Sequence, residues 1–214
     1  MRRTGTSSLG SVFDPSAQHG DVDARIVATL ERLSQVFRVQ LGEEARRRNL
    51  SPIQAQFLIY LLHHDVELRR VSRLAREFDL TQATVSDAVA ALETKGFIQR
   101  GRWPDDQRVV TLRLTRDGEM LATTLSTWAD PIGEHLARFS TEEREAVMGF
   151  LMELTGSLQR SGLITVARMC VTCRFFRRDV RPGEAFPHHC GLLDVPLGRP
   201  SLRVDCPEHK AVAG

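Results

Sequence analysis

The sequence lacks the long apolar runs that a membrane protein needs. None of its segments approaches the roughly 20 consecutive apolar residues that cross a bilayer. Residues 1–20 begin with a basic cluster but contain no apolar core, so they do not have the pattern of a secretory signal. We therefore expect a cytoplasmic protein with no membrane segment, in which residues 1–20 form a disordered tail.

The signatures of common enzyme classes are also missing. The chain has no glycine-rich phosphate loop, no His-Glu-x-x-His zinc motif and no evident nucleophile with its base, so we do not expect an enzyme. Lysine is scarce, because Lys95 and Lys210 are the only lysines among 29 basic residues. Arginine suits phosphate and base-edge contacts. A GC-rich genome gives the same bias, so composition alone does not indicate nucleic-acid binding.

Cysteine is absent from the first three quarters of the chain and is then concentrated near its end. The four cysteines are Cys170, Cys173, Cys190 and Cys206. This clustering indicates that they act as one unit. In a reducing compartment a shared metal site is favoured over two disulfides.

Helical periodicity fills the region before the cysteines. Residues 21–48 predict one long amphipathic helix. Its apolar positions are Ile26, Leu30, Leu33, Phe37 and Leu41. Ser51 and Gln54 form a capping box around Pro52, which predicts a second helix. That helix ends near His63 and His64, which we interpret as two solvated imidazoles.

Two shorter helices and a hairpin follow. The spacing predicts helices over residues 71–78 and 83–96, separated by a polar turn at 79–82. Gly96 provides the stop signal for the second of them. Residues 97–103 and 109–115 have strand-like patterns on either side of a turn that begins at Pro104, which predicts a β-hairpin.

The pattern becomes helical again up to about residue 160. Residues 115–135 predict a helix with a kink at Pro131, and Ser140 opens another capping box. The apolar stripe of this last helix consists of Val147, Phe150, Leu151 and Leu154. These helices carry more apolar surface than one small domain needs, which favours an interface with a second copy of the chain.

A helix, a turn, a second helix and a two-stranded wing form the layout of a winged helix-turn-helix, in which the second helix enters the major groove of DNA. The groove-facing candidates are Thr81, Gln82, Thr84, Ser86 and Asp87. Arginines flank them on the preceding segment and on the hairpin: Arg69, Arg70, Arg73 and Arg76, then Arg100, Arg102, Arg108 and Arg113. The alternative is the solvated face of an ordinary helix, but the arginines on both sides favour a surface that straddles a DNA groove.

Residues 21–160 resemble the MarR family of bacterial transcriptional regulators. The resemblance is carried by LSPIQAQFLIYL, by VSRLAREFDLTQATVSDAVAALETKGFIQR and by the wing PDDQRVVTLRLTRDG. It implies a homodimer held by the N- and C-terminal helices, which binds a pseudo-palindromic operator on double-stranded DNA. Gln107 and Arg108 stand where relatives often have two arginines, so Arg108 alone would take the minor-groove role. Asp87 stands where many relatives have a basic base-reading residue.

The cysteine segment, residues 165–210, resembles the cluster-binding part of high-potential iron-sulfur proteins. CVTCRFF, HHCGLLDVPLG and LRVDCPEH carry this likeness. It implies a 4Fe-4S iron-sulfur cluster on the four cysteines, shielded by apolar neighbours. Zinc is the alternative cofactor, because four thiolates also fill a tetrahedral zinc site, and disulfides or free thiols are a third. Three histidines are further candidate ligands: His188, His189 and His209.

The sequence therefore predicts a mainly α winged helix-turn-helix protein with dimerisation helices and a small Cys-rich metal-binding module at the C-terminus. We interpret it as a repressor whose cluster senses a redox or metal-related signal by changing the spacing of the recognition helices. A first alternative is a MarR-type regulator with a structural zinc module and a small-molecule effector. A second is an iron-sulfur electron carrier, which would not need a recognition helix and a wing.

Overall fold

The computed structural model describes residues 11–16, 18–103 and 109–212, which are mainly helical. The chain divides after Ala55 into two compact units. The helices are α1 (Val22–Arg47), α2 (Pro52–His63), α3 (Val71–Glu77), α4 (Gln82–Thr94), α5 (Arg116–Leu125), α6 (Asp130–Leu136) and α7 (Thr141–Arg160). The strands are β1 (Ile98–Arg102), β2 (Val110–Leu114), β3 (Phe176–Arg177), β4 (His188–Cys190) and β5 (Val195–Leu197). Within the described ranges, no helix has both the length and the apolarity that crossing a bilayer requires.

The long helix α1 begins where the sequence predicts it. The Asp21 carboxylate caps it by accepting from the backbone N–H groups of Asp23 and Ala24. The predicted apolar stripe is buried only at Leu41, whereas Leu33 remains 49% exposed and Phe37 is also exposed. Most of this predicted stripe is therefore exposed in the single chain.

Helix α2 starts with the predicted capping box. The Ser51 hydroxyl accepts from the Gln54 N–H, and the Gln54 side chain accepts from the Ser51 N–H. The largest fully buried side chains of the second unit are Phe57, Leu58, Leu61, Leu74, Leu92, Leu112 and Leu125, with Val85 and Val89 beside them. This core holds α2, α3, α4, β2 and α5 together and fixes the position of the helix-turn-helix.

The prediction of one helix over residues 115–135, kinked at Pro131, was wrong in detail. The α-helix ends at Leu125, a turn of 3-10 helix follows over Ser126–Ala129, and α6 then begins at Asp130. Pro131 lies in the first turn of α6, where its missing N–H costs nothing because such groups have no partner within the helix. The proline therefore starts a helix instead of bending one.

Helix α7 has the predicted capping box at its start. The Ser140 hydroxyl lies 3.2 Å from the Glu143 N, and the Glu143 carboxylate accepts from the Ser140 N–H at 2.8 Å. Val147 and Phe150 are exposed, and Phe150 retains 49% of its accessible surface. In the second half of the helix, Met152 is buried in a small cluster with Ala167 and Met169. The second half of α7 therefore packs on the segment that leads to the cysteines.

The cysteine segment contains a small antiparallel sheet that the sequence pattern did not predict. Its strand order is β3-β4-β5, with Phe176 opposite Cys190 and Cys190 opposite Val195. The strands have only two or three residues each, too few for an alternating pattern to be recognised in the sequence. The sheet brings Cys190 next to the segment that follows Cys173.

Candidate nucleic-acid interface and cysteine cavity

The helix-turn-helix is closed by a tight turn between α3 and α4. Asp79 adopts a left-handed backbone conformation with a φ of 50°, which aspartate tolerates better than most residues. The Leu80 N–H donates to the Ala75 carbonyl at 2.8 Å, which ties the turn back to α3. Thr81 then caps α4, because its hydroxyl accepts from the Thr84 N–H. The structure therefore confirms the predicted turn, and α4 begins one residue earlier than the pattern suggested.

The five predicted groove-facing residues lie at the start of α4 but differ in their surroundings. Gln82, Thr84 and Asp87 are exposed, and Ser86 is half-buried. The Thr81 hydroxyl is engaged in the cap and lies 2.9 Å from the Thr84 hydroxyl. Gln82 and Asp87 are therefore the most available side chains for base edges. Their roles at DNA stay predictions.

The wing is a two-stranded antiparallel hairpin, as the sequence predicts. Its register pairs Ile98 with Leu114 and Arg102 with Val110. Arg100 is held by Glu93 of α4, with Nε and Oε2 2.9 Å apart. The remaining predicted arginines of the strands, Arg102 and Arg113, are exposed. Arg108 lies outside the described residues.

Arg70 lies at the junction of the helix-turn-helix and the wing. It occupies the N-cap position of α3 and is half-buried, and its guanidinium carbon lies 5.2 Å from the centre of the Trp103 ring. Its Nε is buried and has no hydrogen-bond partner among the described residues. Arg70 therefore braces the wing through a cation–π contact, while its predicted role as a DNA contact stays a prediction.

The four cysteines line one small cavity. Its other walls are Phe176, Leu192, Leu193, Leu197 and Glu208. None of the four cysteines forms a disulfide. Within the described part of the chain, no three His, Cys, Asp or Glu side chains are arranged to hold a single metal ion. The structure thus brings together the four residues that the sequence singled out, in an apolar setting.

Two of the sulfur atoms receive hydrogen bonds. The Arg203 backbone N–H donates to Cys170 Sγ at 3.2 Å, and the Arg203 guanidinium lies 3.7 Å from Cys206 Sγ. Burial raises the pKa of the Cys170 thiol. Burial also raises the pKa of Cys206, whose thiol donates to the Glu208 carboxylate and is stabilised in its protonated form. Metal binding at this cavity must therefore release protons.

None of the three candidate histidine ligands is among the described residues that line the cavity. His188 Nδ1 accepts from the Asp179 backbone N–H, and His189 Nε2 lies 3.1 Å from the Asp194 carboxylate. His209 Nε2 lies 3.0 Å from the Thr172 hydroxyl. Each imidazole has a different hydrogen-bond partner, and the role of these histidines as metal ligands stays a prediction.

An ion-pair network centred on Arg168 joins the cysteine segment to the helix-turn-helix. Arg168 Nη1 lies 2.8 Å from the Glu77 carboxylate at the end of α3. Arg168 Nε and Nη2 lie 2.7 and 3.3 Å from the two Asp205 oxygens. Burial opposes the charge, but the Asp205 hydrogen bond and the Glu77 carboxylate raise the pKa of Arg168 above its ordinary value. Arg168 is therefore a nearly buried, positively charged side chain that contacts both carboxylates.

His64 belongs to the same network, so the prediction of a solvated imidazole was wrong for this residue. Its side chain is only 17% exposed, and its Nε2 lies 2.7 Å from Asp205. Its Nδ1 donates to the Tyr60 carbonyl, and the two rings stack with centroids 3.7 Å apart. Burial raises the pKa of Asp205, but the hydrogen bonds from Arg168 and His64 outweigh it and hold that pKa low. Sequence reasoning missed this network because its members are far apart in the chain.

A cavity of about 350 Å³ adjoins the network. Its lining includes Tyr60, Glu77, Arg168, His209 and Lys210. Charged groups of both signs line it, unlike the mostly apolar pockets that bind drug-sized ligands. A small-molecule effector therefore stays a prediction.

Parts of this chain are similar to known proteins. Residues 55–110 match the model of the MarR family. The chain is 30% identical over 102 residues to the uncharacterised HTH-type transcriptional regulator YdgJ of Bacillus subtilis (strain 168), covering 47% of this chain and 62% of that protein. It is 27% identical over 104 residues to the HTH-type transcriptional repressor YetL of the same organism, with the same coverage. The chain thus spans 62% of the length of these two curated relatives.

Solved structures of the S. aureus regulator MepR have the same fold. The MepR–DNA complex matches with a TM-score of 0.54 at 23% identity, covering 62% of this chain and 97% of that one. MepR in its DNA-binding conformation matches with a TM-score of 0.56 at 24% identity, covering 63% and 98%. At this identity the structures establish the fold alone. Together, the comparisons show a segment similar to the MarR family over residues 55–110 and a winged-helix fold shared with MepR.

Proposed function

We propose that this chain is a DNA-binding transcriptional repressor that binds a pseudo-palindromic operator as a homodimer. The observation that carries the proposal is the exposed polar start of α4, with arginines on the segment before it and on the wing after it. Gln82 and Asp87 present amide and carboxylate groups, which read adenine and cytosine edges in the major groove. The N-terminus of α4 adds free backbone donors for a phosphate.

The homodimer follows from apolar surface that one chain leaves uncovered. Leu33, Val36 and Phe37 are exposed on α1, and Val147 and Phe150 are exposed on α7. A second copy that covers these faces would remove them from water and fix the distance between the two copies of α4. Successive major grooves on one side of DNA are about 34 Å apart, so this distance decides whether both helices bind together.

Salt-dependent binding to duplex DNA tests the proposed function. Fluorescence anisotropy with a labelled duplex should show that the logarithm of the association constant falls linearly with the logarithm of the salt concentration, since arginine contacts release counterions from phosphates. Arg102→Ala should reduce that slope by about one, as the loss of one phosphate contact predicts. Arg138→Ala, an exposed arginine between α6 and α7, is the matched control and should leave the slope unchanged. An affinity insensitive to salt would contradict the proposal.

We further propose that Cys170, Cys173, Cys190 and Cys206 hold a 4Fe-4S iron-sulfur cluster that modulates DNA binding. A tetrahedral zinc ion with bonds of about 2.3 Å would need its sulfurs nearly in contact. In a four-iron cluster each cysteine binds a different iron, so the sulfurs stand farther apart around a shared space. The apolar walls and the hydrogen bonds from Arg203 to sulfur suit such a group. When bound, the cluster would supply one-electron redox chemistry.

Metal analysis of anaerobically purified protein distinguishes the candidates. A brown protein with matched iron and sulfide and no zinc supports the cluster. One zinc per chain would overturn the cluster and make the module structural, and the search for a signal would then move to a small-molecule effector. Cys190→Ser should abolish iron incorporation, whereas His189→Ala, at the neighbouring position on the same strand, should retain it.

A further inference from the structure

We propose that Arg168 is a positioning residue for the recognition helix α4, and that through it the state of the four cysteines determines how firmly the turn before α4 is held. The consequence for DNA rests on the proposed function. The coupling within the chain does not, because it depends only on contacts between residues of the second unit.

The first step is the contact between the cysteine segment and the helix-turn-helix. Arg168 pairs with Glu77, the last residue of α3, at 2.8 Å. Three residues before Arg168, the Thr165 hydroxyl lies 3.4 Å from the Asp79 carboxylate inside the turn. Asp79 is the residue with the left-handed backbone. The segment 165–168 therefore contacts both the end of α3 and the turn that leads to α4.

The second step is the link from Arg168 to the cysteines. The Cys206 N–H donates to the Arg168 carbonyl at 2.8 Å. Asp205, the residue before Cys206, accepts two hydrogen bonds from the Arg168 side chain. Cys170 lies two residues after Arg168, and its N–H donates to the Arg203 carbonyl. Two of the four cysteines are thus tied to Arg168 through backbone hydrogen bonds or short stretches of chain.

The third step is the cost of breaking the network. The Arg168 side chain is only 14% exposed, so its charge depends on Glu77 and Asp205 for compensation in place of water. If the cysteine cavity opens and Asp205 moves out of contact with Arg168, the Arg168 guanidinium must bind water or another carboxylate instead. The ion pair between Arg168 and Glu77 is then altered as well. A local change at the thiols therefore changes the ion pairing at the turn between α3 and α4.

Hydrogen–deuterium exchange of the turn tests this coupling. The Phe78 and Leu80 N–H groups are hydrogen-bonded within α3 and the turn, so they report how often this region opens. We would compare the anaerobically isolated full chain with the same chain after metal removal by a chelator and alkylation of the four thiols with iodoacetamide. Exchange over residues 77–82 should rise about fivefold, the lower end of ordinary coupling between sites.

Variants distinguish the positioning role from general loosening. Arg168→Met should show the faster exchange before alkylation and no further response to it. Arg178→Met is the matched control, because Arg178 lies in the same segment but pairs with Glu153 of α7, and it should respond as the unaltered chain does. If Arg168→Met does not fold, the pair Glu77→Gln and Thr165→Val removes the contacts to the turn and leaves the Arg168–Asp205 pair in place.

The outcomes separate this inference from the proposed function. An unaltered chain whose residues 77–82 ignore alkylation, or an Arg168→Met variant that still responds to it, would overturn the inference. A chain with the expected exchange response but with no affinity for duplex DNA would retain the inference and remove the proposed function. The expected result is both the exchange response and an alkylation-dependent change in DNA affinity that Arg168→Met abolishes.

Discussion

The guanidinium carbon of Arg70 lies 5.2 Å from the centre of the Trp103 ring, and this contact joins the start of α3 to the end of β1. The backbone N–H of Trp103 also donates to the Val109 carbonyl, so the same residue links the two sides of the wing. One aromatic ring therefore connects the body of the helix-turn-helix to the hairpin that follows it.

The first prediction concerns this ring. Trp103→Ala should weaken duplex DNA binding and raise hydrogen exchange in β1 and β2, because a cation–π contact of about 0.5–2 kcal/mol is lost. Trp103→Phe keeps an aromatic face and should restore most of the affinity. Equal losses in both variants, measured by anisotropy, would contradict a role for the contact with Arg70.

The second prediction concerns sequence reading by α4. Gln82→Ala should reduce the preference for a selected duplex over a scrambled one by about 1–3 kcal/mol, the usual value of a bidentate base contact. Binding to the scrambled duplex should change little, since phosphate contacts are retained. Ala83→Ser, an exposed neighbour on the same turn, serves as the control. An equal loss of affinity for both duplexes would show that Gln82 contacts the DNA phosphate backbone and not a base.

The third prediction concerns the dimer. Phe150→Asp places a charge on an exposed apolar position of α7 and should convert the dimer into a monomer, as measured by sedimentation velocity. Val180→Asp adds the same charge at an exposed apolar position of the cysteine segment and should leave the dimer intact. A dimer that survives Phe150→Asp would exclude this part of α7 from the interface.

The fourth prediction concerns the capping box of α7. The backbone and side-chain hydrogen bonds of Ser140 hold the pKa of Glu143 below its ordinary value of 4.5. Because folding lowers this pKa, the carboxylate stabilises the helix above about pH 4.5, and this contribution is lost as the pH falls through the folded-state value. The difference in Tm between the unaltered chain and Glu143→Gln should therefore shrink from pH 7 to pH 3. A difference in Tm that does not change with pH would contradict a lowered pKa of Glu143.

Ser140→Ala removes the N-cap of the same helix and should lower the free energy of unfolding by about 1 kcal/mol.

Local features of this fold could be predicted from the sequence. The capping boxes at Ser51 and Ser140, the stop at Gly96 and the hairpin depend on neighbours within a few residues, so their signals are contiguous. The four cysteines also stood out, because their clustering in a chain otherwise free of cysteine is a compositional signal. Both the helix-turn-helix and the shared cysteine cavity were found in this way.

Features that depend on distant partners could not be predicted. His64 looked like a helix end open to water, and nothing nearby in the sequence indicates that Arg168 and Asp205 cover it. The sequence predicted a kink at Pro131 in one continuous helix, whereas the helix ends at Leu125 and α6 begins at Asp130. A proline within a helical pattern is compatible both with a kink and with the first turn of a new helix, and the pattern alone does not distinguish them. Such contacts are set by how the elements pack, which periodicity within one element does not report.

Selection from a random-sequence duplex library tests the central claim most directly. The purified full chain should enrich one inverted repeat, with half-sites about one helical turn apart, because two copies of α4 must meet successive major grooves. The affinity for the enriched duplex should be at least about a thousandfold higher than the affinity for a scrambled duplex. A library that yields no enriched motif, or a single site without two-fold symmetry, would contradict a dimeric operator-binding repressor.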